Sequence, residues 1–151
     1  MKSKVPLTEA DIMINHGANM GLLGALLAFT NEGDEILVPE IGYPFFKDVC
    51  PAMKRVAKTY KLKHDNNFEV DLEHVKSLVT DKTQFLFVIN PSNPMGTIFS
   101  KSHMEDIIRV CDECELPLLS DEIYYGQSFP SETFISFAEV TEDVPVVIIS
   151  G

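Results

Sequence analysis

The sequence predicts an α/β fold in one domain covering residues 1–151, with a mostly parallel sheet and helices on both of its faces. Three observations carry that prediction. Short apolar runs at 35–38, 85–89, 116–119 and 144–149 show almost no polar alternation, the pattern of strands buried on both faces of a parallel sheet. Between those runs the apolar residues change to a helical period. A chain of 151 residues is also one domain's worth, enough to bury roughly two thirds of its unfolded surface around a single core. Strands alternating with helices then wind into right-handed crossovers.

Each element follows in turn. Residues 17–30 carry Ala and Leu around the whole circumference and predict a helix buried on most sides, stopped by Gly33 as a C-cap glycine. The strand at 35–38 comes next. Residues 55–60 have mixed polarity and predict a strand at a sheet edge. Asp71 is a suitable N-cap for a helix whose stripe is Leu72, Val75, Leu78 and Val79. After the strand at 85–89, Met104, Ile107, Ile108 and Cys111 fall at i, i+3, i+4 and i+7, with Ser102 and Glu105 spaced as a capping box at the helix start. The runs at 116–119 and 144–149 complete the sheet. No linker, internal repeat or low-complexity segment interrupts the series.

Composition removes whole classes of function. Twelve basic against 23 acidic residues give a net charge of −11, the wrong sign for attraction to a phosphate backbone or an anionic lipid surface. Neither nucleic acid nor a membrane is an expected partner, and no apolar run approaches the about 20 residues that cross a bilayer. Without a basic segment leading into an apolar one at the start, the expected compartment is the cytoplasm. Three cysteines fit a reducing environment better than a disulfide framework. Cys111 and Cys114 form a C-x-x-C, but no second pair or nearby histidine completes a zinc set. They are read as structural thiols, with no metal site.

In an open α/β sheet a ligand sits at the carboxyl ends of the strands. The loops there hold unusual chemistry. Gly17, Ala18 and Asn19 open the first helix, where small residues let backbone N–H groups reach an anion and the Asn19 amide adds a donor. Tyr43 follows Gly42 beyond the first strand and offers a face to a planar ring. Asn93 lies in Asn90-Pro91-Ser92-Asn93-Pro94-Met95-Gly96, a loop stiffened by two X-Pro bonds. Asp121 ends a buried run and needs a cation beside it, for which a protonated pyridine nitrogen would serve. Tyr124 stands three residues on, able to bring its hydroxyl to the same ligand. Each feature alone has a plainer reading: a helix start, a core aromatic, an Asx turn, a carboxylate capping the next turn. Together they specify a seat for pyridoxal 5′-phosphate.

The chain resembles the fold-type I pyridoxal-phosphate-dependent aminotransferases, nearest to their tyrosine-transaminating branch. The resemblance runs almost end to end through Gly42-Tyr43-Pro44, Asn90-Pro91-Ser92-Asn93-Pro94 with Gly96, and Asp121-Glu122-Ile123-Tyr124. It implies the large, cofactor-binding domain of such an enzyme, in incomplete form. By position it implies that Gly17, Ala18 and Asn19 lie at the cofactor phosphate and that Tyr43 stacks on the pyridine ring. Asn93 and Tyr124 would bond the phenolic oxygen, and Asp121 would pair with the ring nitrogen. Family members commonly carry Ser or Thr where Asn19 stands. The implied reaction passes the amino group of tyrosine or another aromatic amino acid to a 2-oxo acid in a homodimer.

The Schiff-base lysine of the family is expected at the third residue after Gly151. Residues 1–151 therefore should hold no catalytic lysine and should not transaminate alone. Lys101 is the lysine nearest a site loop and is expected to face solvent instead. An alternative is a module that binds pyridoxal phosphate or pyridoxamine phosphate, or that dimerises, without chemistry of its own.

Overall fold

The computed structural model describes residues 3–130 and 132–151. The chain runs α1 (Ala18–Phe29), β1 (Glu35–Pro39), α2 (Phe45–Ala52), β2 (Val56–Tyr60), β3 (Leu62–Lys63), β4 (Glu69–Val70), α3 (Leu72–Leu78), β5 (Thr83–Ile89), α4 (Lys101–Glu113), β6 (Leu118–Asp121) and β7 (Val146–Ile149). Five strands form one sheet in the order β2-β1-β5-β6-β7, every neighbouring pair parallel. β3 and β4 form a separate two-stranded antiparallel hairpin.

The pleat sorts the strand side chains into two cores. Ile36, Val38, Phe85, Phe87, Ile89, Leu119 and Ile149 pack with Leu22, Ala25 and Leu26 of α1 and with Phe46 and Cys50 of α2. Leu37, Leu86, Val88 and Leu118 face the other way, against Val75 of α3 and Met104, Ile107, Val110 and Cys111 of α4. Burial on both faces is why these strands read as continuous apolar runs. The edge strand β2 is the exception: its Val56 is exposed, and Tyr60 alone is fully buried, donating its hydroxyl to the Phe87 carbonyl at 2.8 Å.

Two prolines fix strand starts. Pro117 and Pro145 stand just ahead of the strands, where their carbonyls accept from Leu86 and Leu118 at 3.1 and 2.9 Å and no N–H is required. Asp71 caps α3 as expected, its carboxylate accepting from the His74 N–H at 3.2 Å.

Three expectations need correction. α4 begins earlier than the Ser102 pattern implies, because Ser100 holds extended backbone and its Oγ accepts from the His103 N–H at 3.2 Å. The C-cap of α1 is Thr30 and not Gly33: Thr30 turns to an extended conformation while its N–H still reaches the Leu26 carbonyl at 3.1 Å. Gly33 serves the following turn instead, at φ 87° with its N–H on the Lys54 carbonyl. α1 is also buried along one face and not on most sides, since a single sheet lies against it. Met20, Leu27 and Phe29 on its remaining surface are 47%, 51% and 42% exposed. Beyond these, residues 45–52, for which the sequence predicted no element, form α2.

Candidate functional site

Asp121 is the last residue of β6 and pairs in register with Ile89 of β5 and Ile149 of β7. Both isoleucines belong to the core beneath α1 and α2. The carboxylate opens on that side, at the rim where the loops leave the sheet. There it borders a cavity of about 210 Å³ lined also by Ala18, Asn19, Tyr43, Asn93 and Tyr124. Six of the seven residues singled out in the sequence thus surround one space, drawn from four separate segments. The seventh, Gly17, is the N-cap of α1 at φ 78°, a conformation that favours glycine, and directly precedes Ala18 without lining the cavity.

Each segment is held there for a local reason. The N–H groups of Ala18 and Asn19 are the first of α1 and have no carbonyl one turn earlier to bond. Gly42 lets the turn bearing Tyr43 lie close on the strand ends, because a Cβ there would sit 2.8 Å from Pro39 Cγ and 3.2 Å from Ile89 Cδ1. The Asn93 loop has cis bonds at Asn90-Pro91 and Asn93-Pro94, and is closed by Ser92 Oγ accepting from the Thr97 N–H at 3.0 Å. Asn93 Nδ2 donates to Tyr124 Oη at 3.2 Å. Tyr124 therefore keeps its own hydroxyl proton for a ligand oxygen, and the Asn93 amide retains a second N–H.

The electrostatics centre on Asp121. It is 4% exposed, and burial pushes its pKa up, partly opposed by the hydrogen bond from the Ile123 N–H to Oδ1 at 3.2 Å. The plainer reading of a carboxylate capping the next turn is thus present in one of its oxygens. Among the described residues no cationic side chain pairs with Asp121. A buried carboxylate in that position favours a cationic guest over a neutral one.

Sequence reasoning missed the apolar part of the lining, Leu22, Ile89 and Ile123. Ile123 stood two residues after Asp121, the spacing that returns a side chain to the same side of an extended segment. A larger cavity of about 630 Å³ adjoins and shares Asn93 and Tyr124, but has neither Asp121 nor Tyr43 in its wall. The smaller one holds the charge and is the better candidate.

The other reactive groups lie elsewhere. Lys101 is exposed and pairs with Glu105 at 3.6 Å. Burial pushes the thiols of Cys50 and Cys111 up to about 11 and about 12, so both are protonated at neutral pH. No group of three or more metal-ligating side chains occurs among the described residues, nor any helix long and apolar enough to cross a membrane.

Known proteins are similar to this chain in sequence and fold. A family model described as aminotransferase class I and II matches residues 1–151. The tyrosine aminotransferase of Dictyostelium discoideum is 41% identical over 145 residues, which cover 96% of this chain and 35% of that protein. Among solved structures, tyrosine aminotransferase from Leishmania infantum is similar at a TM-score of 0.87 and 37% identity, over 89% of this chain and 36% of the other. Alanine aminotransferase from Pyrococcus furiosus reaches a TM-score of 0.92 at 31% identity, over 99% and 38% respectively. The chain spans about a third of the length of these relatives.

Proposed function

Because the chain belongs to the class I and II aminotransferase family, we propose that it forms the cofactor-binding part of a pyridoxal-phosphate-dependent transaminase acting on tyrosine or another aromatic amino acid and a 2-oxo acid. One observation carries the cofactor reading: a nearly buried carboxylate that pairs with no cationic side chain among the described residues, in a cavity that also presents hydroxyl, amide and helix-start N–H donors. The residues fit the group. The cavity is smaller than the about 300–1,000 Å³ that enclose drug-sized ligands, a size suited to one aromatic ring with small substituents.

In this reading the side chains divide the cofactor among them. Ala18 and Asn19 offer N–H groups, and Asn19 its amide, to the phosphate at the positive end of α1. Tyr43 offers its ring to the pyridine. Asn93 and Tyr124 donate to the phenolic oxygen. Asp121 holds a proton on the ring nitrogen, because two charges that are each costly to bury compensate one another. When bound, the cofactor supplies an electron-withdrawing ring that stabilises negative charge at the substrate Cα. Asp121 keeps that ring cationic, while Ile89 and Ile123 exclude water from the carboxylate's side of the cavity.

Preference for an aromatic substrate rests on the relatives named tyrosine aminotransferase. A homodimer is supported by apolar side chains left in water, with Met13 78% and Ile14 95% exposed. The test is to purify the complete gene product and assay it with tyrosine, phenylalanine and alanine against 2-oxoglutarate, with light scattering on the same sample. We expect kcat/KM for tyrosine at least about tenfold above alanine, the order of one pocket-sized specificity difference, and a two-subunit particle. A preference for alanine would overturn the aromatic assignment, and a monomer the dimer.

A further inference from the structure

The β3–β4 hairpin has little of its own to hold it. Two residue pairs form its ladder, Leu62 with Val70 and Lys63 with Glu69, and a hairpin that short is not stable alone. Its turn sets Asn67 and Phe68 at φ 50° and 54°, a conformation that is costly for a bulky side chain and persists where the surroundings enforce it.

The segment 98–103 supplies that restraint. The Asp71 N–H reaches the Lys61 carbonyl at 3.0 Å, so by the alternation of an antiparallel pair the Val70 N–H points away from β3. Val70 is fully buried, and its N–H donates to Nε2 of His103 at 2.9 Å. His103 is itself buried, edge to face with Phe99 at a centroid distance of 5.2 Å. Beside it Ser100 Oγ donates to Glu69 Oε1 at 3.1 Å, and Asn67 Nδ2 reaches the Ile98 carbonyl at 3.4 Å. Asn67 and Ile98 both line the larger cavity.

An imidazole that accepts at Nε2 is neutral and carries its proton on Nδ1. A second proton can go only to Nε2, in place of the Val70 N–H. We propose that His103 is an acid-released latch: uncharged, it fastens β4 to α4 and keeps Asn67 against Ile98 in the cavity wall, and on protonation it lets the hairpin go.

Charged groups from three elements face the ring. Glu69 of β4, whose Oε2 stands 3.7 Å from Nδ1, and Asp106 of α4 favour the cation, while Lys63 of β3 opposes it. Burial opposes it most and holds the pKa below histidine's ordinary 6.5. A histidine whose pKa is lower in the folded state gives stability that is complete above the unfolded value and is lost as the pH falls below it. The latch therefore weakens on the acid side of about pH 6.5.

Amide hydrogen exchange of the 151-residue chain at pH 7.5 and 5, each rate referred to the intrinsic rate at that pH, tests the latch. His103→Gln is the comparison, since a glutamine Oε1 can accept from Val70 but takes up no proton in this range. Protection of the Val70 N–H should fall about tenfold or more between the two pH values in the unmodified chain, and about threefold or less in the variant. An equal fall in both proteins, or none in the unmodified chain, would overturn the latch. Should the variant not fold, nitrogen-15 spectra of the histidine rings in the unmodified chain decide. The latch requires His103 to carry its proton on Nδ1 at neutral pH and to charge as Val70 loses protection. A ring protonated on Nε2 at neutral pH, or one that charges without any change at Val70, would overturn it.

Discussion

Asp121→Asn should raise the thermal midpoint of the ligand-free chain at neutral pH and at the same time lower its affinity for pyridoxamine 5′-phosphate by at least about a hundredfold. The two effects have one cause. Asp121 is 4% exposed, its pKa is raised by burial, and no cation among the described residues pairs with it. A pKa higher in the folded than in the unfolded state means that the native protein holds its proton longer. The stability this contributes is fully present below the unfolded pKa and is lost as the pH rises through the folded one. Asparagine keeps the acceptor for the Ile123 N–H and removes the charge. It relieves roughly 1–3 kcal/mol of unmatched desolvation, a few degrees for a chain of this size.

The gain should therefore be small on the acid side and should grow as the pH rises. In the liganded protein the sign reverses, because a buried cationic nitrogen that loses its counter-charge is penalised by about 3–5 kcal/mol, more than a hundredfold in binding. Melting curves of both proteins from pH 4.5 to 8, with and without ligand, check this. A variant that is less stable without ligand at neutral pH, or a difference independent of pH, would contradict the account.

Phe46→Ala should lower stability by about 3–5 kcal/mol, much of the 5–15 kcal/mol that holds a domain together, and leave the chain largely unfolded by body temperature. Phe46 is 1% exposed. Its ring meets Phe45, Phe85 and Phe87 edge to face at centroid distances of 5.2, 5.8 and 4.8 Å, and so fastens α2 to the central strand β5. Leucine at this position fills most of the space and should lose much less. Phe129, 79% exposed, is the control: alanine there should change stability by about 0.5 kcal/mol or less. Urea denaturation measures all three. An unchanged midpoint in Phe46→Ala would mean that α2 does not anchor the sheet.

The sheet was readable in the sequence because its strands are buried on both faces, which removes alternation and leaves runs such as 85–89. The edge strand was readable for the opposite reason, since Lys58 and Thr59 interrupt its apolar residues. α2 was not, although Phe46, Val49, Cys50 and Met53 recur at helical spacing. Pro44 precedes that stripe and Pro51 falls within it, and both look like loop punctuation, yet Pro44 serves as the N-cap and Pro51 lies in the last turn. The β3–β4 hairpin has two residues per strand, too few for any period to register.

The candidate site was legible wherever chemistry was out of place, as with an aspartate ending an apolar run or an amide between prolines. Its hydrophobic wall was not, because Leu22, Ile89 and Ile123 look like any other core residues until the cavity is seen.

The most direct test of the central claim, that Asp121 keeps a pyridine nitrogen protonated at the end of β6, is nitrogen-15 NMR of ring-labelled pyridoxamine 5′-phosphate bound to the chain. We expect the bound nitrogen to carry the chemical shift of a protonated ring across the neutral and mildly alkaline range, and to lose it in Asp121→Asn. A bound ligand whose nitrogen titrates as it does free in solution, with or without Asp121, would contradict the account.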